Sequence, residues 1–243
     1  MRPVCSVLLF RHFVPRLRTL YVVAAGVLII TLTSRWSDAA LVMVNTPGSS
    51  TTGGLSVNAR ATVTTSANQV TIFLENLQVD PRSVTQAISG FQFHLSSGET
   101  VGSLTSSSGV ERTIADNGAF TNGASAASGW SLSKTGSDLK LNLLGMPTAP
   151  DHTIIGPPGA GNLYANANAS IKNGIHSPFF GQSATFTMDI PGVTTATTVT
   201  SGVFQFNTSG GNTVPGTTVP EPATGATMFM IATTMLGSRR RRA

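Results

Sequence analysis

Cysteine is nearly absent from this chain of 243 residues: the one cysteine is Cys5. A body without cysteine has no disulfide framework, no thiolate nucleophile and no soft-metal thiolate site. Charge is scarce too, with Asp, Glu, Lys and Arg at 10%. Few charges leave little to solvate the outer face of a helix, and no sustained 3.6-residue apolar stripe is present. Aromatic residues make up 7%, with two Trp and two Tyr. A carbohydrate platform built from exposed rings would therefore be thin.

Catalytic signatures are missing as well. No lysine follows a glycine, which excludes a phosphate-binding Gly-Lys-Ser/Thr loop. There is no His-Glu-x-x-His, no Gly-x-Ser-x-Gly and no EF-hand loop. Gly156-Pro157-Pro158-Gly159-Ala160-Gly161 is rich in glycine, but its two prolines remove the backbone donors a phosphate needs. The chain reads as a non-enzyme with no catalytic residue, no cofactor and no metal.

The charge that is present lies mostly at the ends. The net charge is +5. Residues 1–39 hold five arginines against Asp38, and residues 220–243 hold four arginines against Glu221. Residues 40–219 hold six basic and eight acidic residues, a net −2. The basic balance is no evidence for a nucleic-acid partner, which requires a basic patch on the folded body.

Both ends carry an apolar run beside arginines. At the start, Arg2, Arg11, Arg16 and Arg18 precede an uncharged run from Thr19 to Ser34, and Ser37-Asp38-Ala39 offers small residues for cleavage after Ala39. Basic, apolar and small-residue parts in that order predict a secretory signal peptide over 1–39; an uncleaved anchor is the alternative. At the other end, Val219-Pro220-Glu221-Pro222 is stiff and extended, because each proline fixes its own φ and pushes its predecessor away from helix. An uncharged run from Ala223 to Gly237 follows, then Arg239, Arg240, Arg241 and Arg242. As a helix the run would reach about 21 Å, against a bilayer core of about 30 Å. Arginines beside such a segment stay cytoplasmic.

Pro220-Glu221-Pro222, a short apolar span and the Arg239–Arg242 cluster, in that order, resemble the PEP-CTERM sorting signal of Gram-negative bacteria. The resemblance covers 219–243. It implies recognition by an exosortase, a membrane-embedded transpeptidase-like enzyme, and removal of the tail near the Pro-Glu-Pro. The export machinery and the membrane would be earlier partners, the latter through the C-terminal segment before processing. The implied address is the cell surface or extracellular matrix, which makes exopolysaccharide a further partner. A permanent C-terminal tail anchor is the alternative.

The body, 40–206, alternates apolar and polar residues with period two. The runs Val70–Glu75, Phe91–Leu95, Leu139–Leu143, Phe186–Ile190 and Val199–Phe206 predict strands, the last with a bulge or a face change around Gly202. Shorter candidates are Ala40–Val44, Leu55–Thr64, Val84–Ile88 and Trp130–Ser133. Turn formers such as Asp80-Pro81, Ser97-Gly98 and Asp116-Asn117-Gly118 lie between them. The expectation is all-β: an antiparallel β-sandwich, with an N-terminal signal helix and a C-terminal apolar sorting helix. Residues 118–129 read as a surface loop, and 145–161 as a long loop closed by a helical turn near Ala165–Ile171. Residues 207–218 read as a flexible linker.

Three residues stand out as ligand candidates. His152 sits in the long loop, and it could meet His176 in space to hold a metal or to serve a hydrolase together with carboxylates. Tyr164, in an Asn-rich part of that loop, reads as exposed and as a sugar platform, whereas Trp130 alternates with Leu132 and reads as core. His94 reads as a rim residue on the polar face of its strand. The leading expectation is a structural or adhesive surface protein. The alternatives are a carbohydrate- or calcium-binding module and a secreted hydrolase.

Overall fold

A computed structural model of the chain describes residues 39–144, 150–172 and 174–220. The signal-peptide segment, the apolar C-terminal run, Glu221, Pro222 and Arg239–Arg242 lie outside the described residues, and so do the helices expected at both ends. No helix among the described residues is long and apolar enough to cross a membrane.

The body is β-rich, as its alternation requires. Strand β1 is Ala40–Asn45, and a small hairpin pairs β2 (Thr51–Thr52) with β3 (Leu55–Ser56). Strands β4 (Ala59–Ser66) and β5 (Gln69–Asn76) form a tight hairpin, with Ser66 facing Gln69. Asn68 turns it at φ +57°, a conformation Asn tolerates because its short side chain bonds locally. Every second residue of β4 is buried: Ala59, Ala61, Val63 and Thr65. Then come β6 (Ile88–Leu95), β7 (Ser103–Ile114), β8 (Phe120–Ala126), β9 (Ser131–Thr135) and β10 (Asp138–Asn142). A short β11 (Ile154–Ile155) precedes helix α1 (Ala169–Lys172) and strand β12 (Phe179–Asp189). Strands β13 (Val199–Phe206), β14 (Thr213–Pro215) and β15 (Thr217–Pro220) follow.

Thirteen of these strands share one hydrogen-bonded sheet, ordered β14-β13-β6-β11-β12-β5-β4-β1-β15, with β10–β9 branching from β6 and β7–β8 from β12. This corrects the expected antiparallel sandwich in two respects. Hydrogen bonding is continuous through β11 between the β6 and β12 halves, and the β11–β12 pairing, Ile154 to Phe180, is parallel. The sheet nevertheless turns back on itself. A Cβ added at Gly202 on β13 would lie 2.9 Å from both Phe91 Cζ and Val44 Cγ1, so β13 and β1 face each other across the core. The Phe91 and Phe204 rings meet within that core at 4.9 Å between centres, tilted by 46°. Fully burying a side chain of this size stabilises by about 1.5–3 kcal/mol.

Other differences have local causes. The segment 84–88 starts as a 3-10 turn, Val84–Gln86, capped at Ser83 by a reciprocal bond with Gln86, and becomes strand only at Ile88. Strands β7 and β8 escape sequence reading because both are mostly exposed and built from Ser, Thr, Gly and Asn, so no apolar alternation marks them. The 118–129 loop is therefore largely strand. The expected bulge in the last core strand is present: the β13–β6 register slips between Val199 and Ser201. Residues 207–218 are not a linker throughout. They hold β14 and the start of β15, with Val214 buried against the core, because the edges of β13 and β1 offer partners that composition alone does not reveal.

Candidate functional site

Three places in the fold collect residues with chemistry. The first is the edge where the chain enters and leaves the sheet. Strand β15 runs antiparallel to β1, with Asn45 opposite Thr217, Val44 opposite Thr218, Met43 opposite Val219 and Val42 opposite Pro220. The first two residues of the Val219–Pro222 stretch are therefore strand residues. Ala39, the predicted cleavage residue, is exposed and directly precedes β1. Strand β15 ends the path of the sheet and among the described residues bonds on one side only, where a proline without an N–H is tolerated.

The second place is the end of the sheet beneath the long loop. Tyr164 is fully buried there, which overturns its expected role as an exposed sugar platform. The loop covers a second apolar cluster made with Val84, Ile114, Ile155, Ile171 and Phe179, and Tyr164 is its largest member. Its hydroxyl accepts from Arg112 Nη1 (2.8 Å) and donates to the Gly156 carbonyl (2.8 Å). Burial raises the pKa of this phenol, against the opposing pull of Arg112. Arg112 also donates from Nε to Asn122 Oδ1 (3.0 Å) and lies 4.2 Å over the Phe120 ring. A buried guanidinium thus finds neutral oxygens and a ring face.

His152 sits beside it at φ +62°. Its ring stacks on Phe180 at 4.6 Å, and its Nε2 is 3.0 Å from Glu111 Oε1. Its backbone N–H donates to the Pro178 carbonyl (2.8 Å), and its carbonyl accepts from Trp130 Nε1 (3.1 Å). Trp130 is core, as alternation predicts. The partner of His152 is Glu111, not the adjacent Asp151; Asp151 acts instead on His176. His176 is half-buried, its Nδ1 has no hydrogen-bond partner among the described residues, and burial holds its pKa below the ordinary imidazole value. The β11–β12 pairing brings the two histidine segments alongside each other, yet among the described residues no group of three or more His, Cys, Asp and Glu is placed to hold a metal ion. Sequence reading missed Glu111 and Arg112. The available signal was an adjacent acid–base pair, the only charges in the hydroxyl-rich run Ser103–Ile114.

The third place is a cleft of about 340 Å³ lined by Gly54, Leu55, Gln78, Asp80, Arg82 and Asn166, among others. Asp80 adopts φ +49°, and its carboxylate accepts from Asn166 Nδ2 (2.5 Å) and from the Asn166 backbone N–H (3.4 Å). Gln86 forms a rigid floor: its side-chain oxygen accepts from the Arg82 amide and its nitrogen donates to Ser56 O, each at 2.6 Å. At the polar rim of β6, His94 Nδ1 lies 2.9 Å from Asp138 Oδ1, as a rim histidine would. Asp138 is held below the usual carboxylate range, first by the amide of Gln92 and then by His94 and Ser137.

Comparison with curated proteins and with solved structures gives no match. Comparison with family models matches residues 218–242 to the PEP-CTERM protein-sorting motif, a segment that begins inside β15 and runs through the arginine cluster. The chain therefore carries a PEP-CTERM sorting motif, which implies an exported protein processed by an exosortase.

Proposed function

We propose that the body is a non-enzymatic structural or adhesive component of the cell surface or exopolysaccharide matrix. The observation that carries this reading is the β7–β8 face. It is a long, largely exposed hairpin rich in Ser, Thr, Asn and Gly, and among the described residues its outer strand β8 bonds only to β7. A hydroxyl-rich sheet whose two charges, Glu111 beside His152 and buried Arg112, are already engaged presents many neutral donors and acceptors to glycans at little desolvation cost. The sorting motif supports the address. The histidines favour a bracing role over hydrolysis, since His152 is committed to Glu111, Phe180 and the strand ladder.

The test is the intact mass and location of the protein recovered from its native host. A mass ending near Pro220–Pro222, in the fraction that sediments with exopolysaccharide, supports the reading. A mass that retains Arg239–Arg242, in the membrane fraction, overturns it.

A carbohydrate-binding module is the second reading, favoured by the cleft at Asp80 and Arg82. Its lining of carboxylate, guanidinium and amide groups suits sugar hydroxyls, although no ring platform is among the residues that line it. Loss of polysaccharide binding in Arg82→Ala, with binding retained in β8 variants, would favour this reading over the first.

A further inference from the structure

The sorting motif and the fold overlap. An enzyme that acts on an extended peptide must take that peptide's backbone into its own cleft. Here Val219 and Pro220 already lie in a ladder with Met43 and Val42, and the upstream end is pinned, because the Gly216 amide donates to the Gly202 carbonyl at 2.8 Å. We propose that β15 is a strap that keeps the motif latent, and that the processing enzyme engages Val219–Pro222 only after β15 has peeled from β1. This rests on the exosortase reading of the motif.

The geometry supports peeling as a local event. The strap is four residues long, bonds on one side only among the described residues and ends on a proline that gives no N–H. Its Thr217 and Val219 side chains are exposed, so little apolar surface is uncovered when it lifts. Strand β1 stays in place because it is paired along its whole length to β4, from Ala40–Thr65 to Asn45–Arg60. Short, edge-located, poorly buried elements open at far lower free energy than the core they rest on. The same arrangement makes a folded body a condition of latency. A chain that has not formed β1 and β4 cannot hold the strap, and its motif is open from the start.

The experiment uses the full-length chain with Cys5→Ser and a disulfide staple, Met43→Cys with Val219→Cys, across directly facing positions. It is incubated with native-host membranes and processing is followed by intact mass. Comparing oxidised and reduced forms of the same double variant cancels any effect of the substitutions on the motif itself. The staple is expected to slow processing at least tenfold in the oxidised form, with wild-type behaviour restored on reduction. Equal rates for the two forms overturn the strap. Failure of the wild type to be processed overturns the sorting reading instead, so the two failures are distinct. Thr217→Pro, which lies outside the motif, is expected to speed processing severalfold. Hydrogen exchange decides the structural half without the enzyme. Protection at the Val219 amide, which faces Met43, that is lost in Thr217→Pro supports the strap; exchange of that amide at the unstructured rate in the wild type overturns it.

Discussion

The Gly216 amide donates to the Gly202 carbonyl at 2.8 Å, and at that bond the last segment of the body passes from one partner to another. Before it, β14 pairs with β13; after it, β15 pairs with β1. The two ends of the sheet path are thus consecutive in sequence, and Gly216 is the junction that holds them.

Gly216 has no room for a side chain. A Cβ there would stand 2.4 Å from Val44 Cγ1 and 3.0 Å from Phe204 Cε2. Gly216→Ala is expected to destabilise the body by about 1–3 kcal/mol, the usual cost of overpacking. For a body of this size each kcal/mol lowers Tm by about 2–4 °C. Thermal unfolding followed by circular dichroism checks this, and an unchanged Tm would show that the junction is looser than its contacts indicate.

Tyr164→Phe removes one oxygen and orphans two groups: an N–H of buried Arg112 and the Gly156 carbonyl. The expected loss is about 1–3 kcal/mol. Polysaccharide binding by the folded fraction should be unaffected, because the ring is fully buried. Denaturant unfolding together with a pull-down on matrix polysaccharide separates the two effects. Lost binding at full stability would restore the sugar-platform role.

His176 makes stability depend on pH. Burial lowers its pKa in the fold, against the opposing pull of Asp151 and the Pro150 carbonyl. As pH falls through the ordinary imidazole value of about 6.5, the unfolded chain takes up a proton that the folded chain resists. The contribution is therefore complete above that pH and is lost below it. The Tm of the wild type should fall more steeply between about pH 7 and about pH 5 than that of His176→Gln. Parallel curves would mean that the ring is solvated.

Trp130 should serve as a single reporter. Trp36 lies in the segment predicted to be removed, so Trp130 is the one tryptophan of residues 40–220. It is 5% exposed, packs 4.8 Å from the Phe186 ring and donates to the His152 carbonyl. Emission from the processed protein should be blue-shifted and should move red in one step with unfolding. In His152→Pro the loop is expected to detach and the emission to shift before the global transition. Coincident transitions would show that the loop is not separable from the core.

Much of the body is legible in the sequence, because burial on one face of a strand imposes period two on neighbouring residues. Strand β13 spans Val199–Phe206 as read, and its register on β6 slips on either side of Gly202, between Val199 and Ser201 and between Gln205 and Phe206. Legibility fails where that pressure is absent. Strands β7 and β8 keep few residues in the core, so Ser, Thr and Gly fill them and they resemble loops. The long loop misleads in the opposite direction. Its Asn and Ala suggest exposure, yet Tyr164 fills the cluster beneath it and Arg112 satisfies its hydroxyl.

By itself the sequence determined the β character of the body and the sorting address, since both are written in consecutive residues: alternation along each strand, and the order Pro-Glu-Pro, apolar span, arginines. Tertiary structure alone decided that Tyr164 is buried, that His152 pairs with Glu111 instead of Asp151, and that the sorting motif begins inside the sheet. Each of these depends on residues brought together across a long stretch of chain, as when Val42 meets Pro220, and local pattern carries no record of such a meeting.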